Sequence, residues 1–375
     1  MQRAWKIAGM CLLWALVVGF VVLYSSRSRQ HRSLATVQAV NVEIIDSLPD
    51  ESLMSRKLVE QWIKQSDVET IGTPIDKVDL VGIERAIRSN GFVDRASAHV
   101  TYDGVLHIEV SQRKPLLRLV CGDYDCYVTD EGYLFPSPGR AAVYVPVVSG
   151  SYAPPVPRDY VGRMEDYILA RVEESNARIL ELQHEKKPLF DREKEIRDSV
   201  KKVRAMKVDK KGYIRYKGWF ESDEDYNKRI IAKRLEKNEL YRRYRYWRKV
   251  NDKNIAAVTA RQDIERDKQK KLMKRYEDFL KLINFVNYIE NDSFWGAEIV
   301  QIVASTMSSG DLELELIPRT GGHTVEFGQV GDEAQIEAKL EKLLTFYQNG
   351  LTKLGWDKFS TISVRYEGQV VCTKR

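Results

Sequence analysis

Residues 80–115 constrain the fold more than any other stretch of this chain. Apolar Ile83 and Ile87 follow helical spacing, and Gly91 is expected to end the helix. Two runs of alternating apolar and polar residues follow, separated by Asp103-Gly104, which is a strong signal for a β-hairpin. The pattern therefore predicts a short amphipathic helix followed by a hairpin. Because it contains no catalytic pattern, this unit points to docking rather than catalysis.

A long apolar run lies near the N-terminus. Residues 7–24 are 18 consecutive positions without a charge, which is long enough to cross a bilayer as one helix. A cleaved secretory signal is the alternative, but no small-residue cleavage pattern precedes the basic cluster Arg27, Arg29 and Arg32. We expect an uncleaved single-pass anchor preceded by a short tail, residues 1–6. Flanking charges alone do not fix its orientation.

The net charge of +6 is distributed unevenly. Residues 186–281 hold 32 Lys and Arg against 17 Asp and Glu, whereas the rest of the chain holds 28 against 37. The chain is therefore a mildly acidic protein that contains one strongly basic segment.

The order of elements predicts an α+β fold with two folded regions after the anchor. Residues 25–36 read as a polar linker and residues 37–114 as a β-α-α-β-β domain. Residues 115–158 and 293–375 are each too short to close a core, so we expect them to form one β domain. Between them, residues 159–292 are predicted to form a basic, antiparallel helical insert that resembles a coiled coil.

Within this insert, Ser222 is expected to cap the second helix, and residues 209–219 resemble a hairpin tip. Leu235 and Trp247 fall on the predicted apolar seam between the helices. Residues 241–249 interleave Tyr and Trp with Arg, a composition that alone suits single-stranded nucleic acid or an anionic membrane. A solvated coiled-coil face is the favoured interpretation, with a docking arm or contact with lipid or cell-wall polymer as alternatives.

The spacing of the cysteines and histidines allows one disulfide and does not favour a metal site. Cys121 and Cys126 lie between two short β-like runs, so a disulfide could join them across a hairpin in an oxidising compartment, leaving Cys372 over. A two-residue turn at Asp103-Gly104 would place His99 and His107 on opposite sheet faces, which argues against a metal site.

No P-loop, nucleophile elbow or zinc-protease pattern occurs in the chain. We therefore expect no catalytic, cofactor-binding or metal-binding residues, and we expect a protein that is not an enzyme.

Several segments together resemble the FtsQ/DivIB cell-division family, particularly its Bacteroidetes form. Each motif alone is an ordinary strand or turn, and their order carries the resemblance. The motifs are AIRSNGFV (86–93), GVLHIEVSQRKP (104–115), VTDEGYLFP (128–136), FWGAEIVQI (294–302), ELIPR (315–319), GH (322–323) and VVCTKR (370–375). The β-α-α-β-β order resembles a POTRA domain, the small module of membrane-linked assembly proteins.

The resemblance implies a bitopic scaffold of the inner membrane at the division septum, with a cytoplasmic tail, residues 1–6, and its folded domains in the periplasm. In that family, the last strands form an open sheet edge that captures a strand of FtsB, which works with FtsL. Through these partners the scaffold would help to regulate septal peptidoglycan synthesis. The POTRA domain would contact other division proteins, and nucleic acid would not be a partner.

Carried onto this chain, the open edge is residues 361–371. The contacts implied by the resemblance are Thr361, Ser363, Arg365, Tyr366, Gly368 and Val370. Strand addition suits such an edge, because unpaired backbone groups supply hydrogen bonds and alternate side chains supply selectivity. The alternative is a final strand that is fully paired within its own sheet.

Three other functions remain open from the sequence. A POTRA-containing assembly or secretion factor would need a barrel or tandem POTRA modules, and neither is visible in the sequence. A membrane-tethered cell-wall enzyme would need a catalytic pair that cannot be singled out from the sequence. A membrane-bound nucleic-acid binder would need the basic helices to lie in the cytoplasm.

Overall fold

The computed structural model describes residues 14, 16–23, 35–45, 54–66, 68–137, 143–208, 217–307 and 310–375. By internal contacts, the chain divides into two compact units. The first comprises Met1–Met164 and Asp278–Arg375, and the second comprises Glu165–Glu277.

Half of the predicted anchor, residues 7–24, lies outside the described residues. Positions 14 and 16–23 are helical, and their large apolar side chains are exposed. Within the described part of the chain, no helix meets the length and hydropathy needed to cross a membrane.

The first folded region of unit 1 has the predicted β-α-α-β-β order. Its elements are β1 (Ala39–Ile45), α1 (Arg56–Gln65), α2 (Leu80–Arg88), β2 (Val93–Val100) and β3 (Val105–Gln112). The sheet order is β1-β3-β2, with β1 parallel and β2 antiparallel to β3. Ser55 and Asp79 cap the two helices by accepting hydrogen bonds from the amides of Leu58 and Gly82.

The helices cover one face of this sheet. As the spacing predicted, Ile83 and Ile87 on α2 are fully buried. They share a core with Val59 of α1 and with Leu106 and Ile108 of β3. Burying a side chain of this size stabilises a fold by roughly 1.5–3 kcal/mol, so this cluster is the main source of stability of the region.

The predicted hairpin register was wrong by one residue. The Thr101 amide donates to the Val105 carbonyl at 3.0 Å, which leaves a three-residue loop rather than a two-residue turn. Gly104 takes a φ of +80°, the left-handed position that this loop requires. His99 consequently lies directly opposite His107, and their rings stack with centroids 5.2 Å apart. The two imidazoles therefore share a face instead of pointing to opposite sides.

The remaining strands form one ten-stranded sheet. Its first half contains β4 (Leu117–Cys121), β5 (Tyr124–Val128), β6 (Tyr133–Pro136), β7 (Val147–Gly150) and β8 (Gly162–Arg163). Its second half contains β9 (Ile299–Thr306), β10 (Leu312–Pro318), β11 (Thr324–Gln329), β12 (Phe359–Ser363) and β13 (Val371–Lys374). Parallel pairing of β7 with β9 joins the two halves into a sheet of order 13-12-11-10-9-7-4-5-6-8.

Two long helices connect β8 to the second half of this sheet. They are α3 (Met164–Ala205), which contains Pro188, and α4 (Asp223–Asn291). Ser222 caps α4 as predicted, because its hydroxyl accepts from the Asp225 amide at 3.1 Å. The short helix α5 (Trp295–Glu298) then leads into β9.

Within unit 2 the helices contact each other through polar as well as apolar side chains. The Asn251 amide donates to the Leu189 carbonyl at 2.9 Å, and Lys186 donates to Gln262 at 2.6 Å. The predicted seam was wrong at two positions, because Leu235 and Trp247 are exposed. Most of the predicted tip lies outside the described residues.

The helix α6 (Glu333–Phe346) packs Ile336, Leu340 and Leu343 into the core and continues through one wider turn, Tyr347–Leu351. The chain then enters β12, in which Ile362 is fully buried. This arrangement places the C-terminal strands beside α6, where the candidate site lies.

Candidate functional site

The C-terminal end of the sheet contains two strands instead of the single open-edge strand expected over residues 361–371. After β12 the chain reverses through residues 364–370 and returns as β13. Gly368 takes a φ of +68° in this reversal. Antiparallel pairing aligns Ile362 with Cys372 and Ser363 with Val371. The single-strand prediction was wrong because the apolar alternation continues through a turn.

The edge of the sheet is therefore β13, and β12 is an interior strand. The Val364 amide donates to the Glu326 carbonyl at 3.0 Å. Because backbone direction alternates along a strand, the N–H and C=O groups of Ile362 also point toward β11. The N–H and C=O groups of Thr361 and Ser363 point the opposite way, toward β13, where these residues pair with Thr373 and Val371 of the same chain. Their backbone groups are already used, which corrects their expected place on an open edge.

The other predicted contact residues lie in the connection before β13. Arg365, Tyr366 and Gly368 are in residues 364–370, and Val370 directly precedes β13. Tyr366 is exposed, whereas Val364 beside it is fully buried. The structure therefore brings four of the six predicted residues next to the true edge rather than onto it.

The direction of each β13 amide follows from the hydrogen bond at its end. The Arg375 amide donates to the Lys358 carbonyl at 3.1 Å, so it points toward the β12 side. Because successive residues of an antiparallel strand alternate, Thr373 and Val371 also point inward. The N–H and C=O groups of Cys372 and Lys374 point outward. Within the described part of the chain, β12 is the one strand that pairs with β13.

Charged side chains fix the connection that leads into this edge. Lys342 of α6 donates to the carbonyls of Val364 at 3.0 Å and Tyr366 at 2.5 Å. Burial lowers the pKa of Lys342. Arg365 bonds to Glu313 at 2.7 Å on the neighbouring part of the sheet. These contacts give the connection before β13 a defined position.

A buried aromatic cluster lies beneath the C-terminal residues. His323 is 3 % exposed, and its Nε2 lies 2.9 Å from the Tyr347 hydroxyl. Burial, with a smaller contribution from the positive charge of Arg375, lowers the pKa of His323. The Arg375 guanidinium in turn donates to the Gly322 carbonyl. The Gly-His pair noted in the sequence is thus a support for this end of the sheet.

The edge of the smaller sheet differs from β13, because α2 covers its backbone. Glu84 accepts from the Ala98 amide of β2 at 3.0 Å, and Arg88 donates to the Ala96 carbonyl at 3.1 Å. Glu84 and Arg88 also pair with each other at 2.7 Å. The outward groups of β2 at these positions are therefore occupied. Sequence reasoning missed this pair, although its spacing of four residues on α2 is a standard helical pairing.

The two cysteines of the β4–β5 hairpin do not lie opposite each other. Cys126 is aligned with Leu119, and Cys121 is aligned with Tyr124. Both are buried free thiols. Burial raises the pKa of Cys121 to about 11 and that of Cys126 to about 12, so neither is a thiolate near neutral pH. Diagonal neighbours in a sheet are farther apart than a disulfide requires.

Among the described residues, no group of three or more potential ligands could hold a metal ion. The stacked rings of His99 and His107 have no third potential ligand beside them in the part of the chain that the structure describes.

Two regions of the chain match known family models. Residues 35–111 match a POTRA-like domain, and residues 250–373 match the model described as FtsQ/DivIB, C-terminal related. A comparison with curated proteins gives no match. FtsQ/DivIB proteins are non-enzymatic scaffolds that act in the membrane at the division site with other divisome proteins. The two matches follow each other in the order expected from the motifs, and together they support an FtsQ/DivIB-type family.

Proposed function

We propose that this protein is a bitopic membrane scaffold of the bacterial division machinery that recruits FtsB, together with FtsL, by strand addition to β13. Through these partners it helps to regulate septal peptidoglycan synthesis. It acts by binding and catalyses no reaction. The POTRA-like domain contacts other divisome proteins, and nucleic acid is not a partner.

The outward backbone of β13 is the observation that carries this proposal. Cys372 and Lys374 present N–H and C=O groups on the side away from β12. A partner strand can pair with these groups, which is the basis of β-strand addition. At about 3.3 Å per residue, four residues offer roughly 13 Å of edge, so backbone pairing alone is limited.

Side chains near the edge would therefore supply selectivity. Val371 of β13 and Tyr366 in the connection before it are exposed, and a partner could cover both. Aromatic side chains such as Tyr often dominate binding energy when they become buried at an interface. Lys342 holds the carbonyls on either side of Arg365, which would keep Tyr366 in place.

The apolar run in residues 7–24 supports membrane anchoring. It is long enough for one span, and the described part of it is helical with exposed large apolar side chains. Translational fusions of alkaline phosphatase and of green fluorescent protein to the C-terminus test the orientation. The proposal expects phosphatase activity without fluorescence, and fluorescence without phosphatase activity would contradict a periplasmic location.

A proline at Cys372 tests the strand-addition proposal. Cys372→Pro removes an outward N–H while leaving the inward groups of Thr373 and Val371, and proline is tolerated on edge strands. Cys372→Ala is the matched control, because it shortens the side chain and retains the amide. We expect Cys372→Pro to weaken binding to purified FtsB–FtsL by about tenfold or more.

The control should bind within about twofold of the unmodified chain. Circular dichroism should give the same thermal unfolding for both variants, because neither change touches the inner ladder. Equal binding by the unmodified chain, Cys372→Ala and Cys372→Pro would refute strand addition at β13.

A further inference from the structure

The outer face of α4 in unit 2 carries exposed apolar side chains that neither the predicted seam nor the proposed function explains. Ile231 and Leu235 are 57 % and 59 % exposed, and Tyr246 and Val250 farther along are also exposed. The spacings between them keep all four on one side of the helix. The outer face of α4 is defined here by Ile231, Leu235, Glu239, Arg242, Tyr246, Lys249, Val250 and Lys253, all of which are exposed.

Positive charge accompanies this apolar stripe. Residues 240–250 contain five Lys and Arg and no Asp or Glu. Within the described part of the chain, no carboxylate forms an ion pair with Arg242 or Lys249. By contrast, Glu221 and Glu224 near the start of α4 are matched by Arg229 at 2.7 Å and Lys228 at 2.9 Å. The unneutralised charge therefore lies on the outer face.

Two aromatic side chains precede the helix. Trp219 and Phe220 are fully exposed, and Lys217 lies beside them. Adjacent exposed aromatic rings next to basic residues are typical of segments that enter the interfacial layer of a bilayer. Large exposed apolar side chains are otherwise costly in water, so this arrangement indicates a surface that becomes covered.

We propose that the outer face of α4 and the Trp219-Phe220 pair lie against an anionic phospholipid bilayer. The apolar side chains would enter the interfacial layer, and Arg242, Lys249 and Lys253 would contact lipid phosphates while their stems cover acyl chain ends. Charge complementarity favours this occupant over a second copy, because two copies would bring the same positive charges together. The inference does not depend on FtsB–FtsL binding.

Site-specific fluorescence in the full-length protein tests the inference. In a Cys11→Ser, Cys372→Ser background, Tyr246→Cys is labelled with an environment-sensitive fluorophore, and the protein is reconstituted into nanodiscs. Glu173→Cys, an exposed position on α3, is the control site. We expect quenching by doxyl-labelled lipid to be several-fold greater at position 246 than at 173, and only in nanodiscs that contain phosphatidylglycerol.

Charge reversal at two places on α4 distinguishes lipid contact by the outer face from a general effect of net charge. Arg242→Glu with Lys249→Glu should reduce the quenching about tenfold, because each basic residue at an anionic surface contributes substantially. Lys270→Glu with Lys271→Glu changes net charge equally elsewhere on α4 and should leave it unchanged. Added salt should weaken the contact.

Three results would overturn the inference. The first is equally weak quenching at both sites in all nanodiscs. The second is quenching at position 246 that persists in pure phosphatidylcholine. The third is protection of the label that rises with protein concentration and needs no anionic lipid, which would assign this face to a second copy of the chain.

Discussion

The β2 edge is covered by side chains, whereas the β13 edge of the same chain is open. On β2, the side chains of Glu84 and Arg88 bond to the outward groups of Ala98 and Ala96. On β13, the corresponding groups of Cys372 and Lys374 have no neighbouring strand in the described part of the chain. Proteins commonly protect sheet edges against pairing, so an open edge in a chain that protects another edge supports the proposal of a binding surface.

The two edges also differ in strand length and in whether their outward backbone groups are free to pair. The β2 edge is eight residues long and is covered at Ala96 and Ala98, whereas the β13 edge is four residues long and open. Its neighbour β12 is buried, so the sheet can keep its structure while β13 pairs with another chain. The comparison leads to four predictions about which strand supports the fold and which strand serves binding.

The largest expected effect separates β12 from β13. Ile362→Ala in β12 should lower the free energy of unfolding by about 2–5 kcal/mol, because it empties a fully buried position. Val371→Ala in β13 should change it by less than about 0.5 kcal/mol. Urea denaturation of both variants measures this, and similar losses would mean that β13 is part of the core.

A smaller effect is expected at the connection before β13. Lys342→Met should lower the free energy of unfolding by about 1–2 kcal/mol, since it removes two hydrogen bonds to backbone carbonyls and retains the stem. It should also weaken FtsB–FtsL binding several-fold by releasing Tyr366. Loss of stability without any loss of binding would indicate that this connection does not contact the partner.

Weakening the hydrogen bond between Glu84 and β2 tests whether this side chain protects the β2 edge. Glu84→Gln keeps the size of the side chain but weakens the bond to the Ala98 amide, so we expect a loss of about 1 kcal/mol. Amide hydrogen exchange at Ala98 should become about fivefold faster. The control Glu60→Gln, at an exposed position on α1, should leave that exchange rate unchanged.

The smallest effect concerns pH. The pKa of His323 is lowered in the folded protein by burial, so the unfolded chain binds this proton first as pH falls. The stabilising contribution of neutral His323 is therefore present above about pH 6.5, the usual pKa, and declines below it. Unfolding measured at pH 7.5 and 5.5 should differ less for His323→Gln than for the unmodified chain.

The sequence was sufficient for the helices and for the general order of strands. Ile83 and Ile87 identified the buried face of α2, and the two β-rich segments carried clear alternation. The errors arose where the length of a loop determines how the two strands that it joins are aligned. At Gly104, one extra loop residue moved His107 opposite His99, because a one-residue slip exchanges the faces of a strand.

The candidate site was harder to predict for a related reason. Alternation through Ile362, Val364 and Tyr366 continues into residues that turn, and no strong turn dipeptide marks the reversal. Whether an edge is open also depends on distant residues such as Lys342 and Glu84. Their contacts with β-strand backbone arise from tertiary packing, which local patterns do not encode.

Hydrogen exchange of the full-length protein, measured with and without purified FtsB–FtsL, tests the central claim most directly. The account predicts that the Cys372 and Lys374 amides exchange rapidly in the free protein and become strongly protected on binding. The Ala98 amide of β2 should exchange at the same rate in both states. Unchanged exchange across β13 in a saturated complex, or protection confined to β2, would contradict the account.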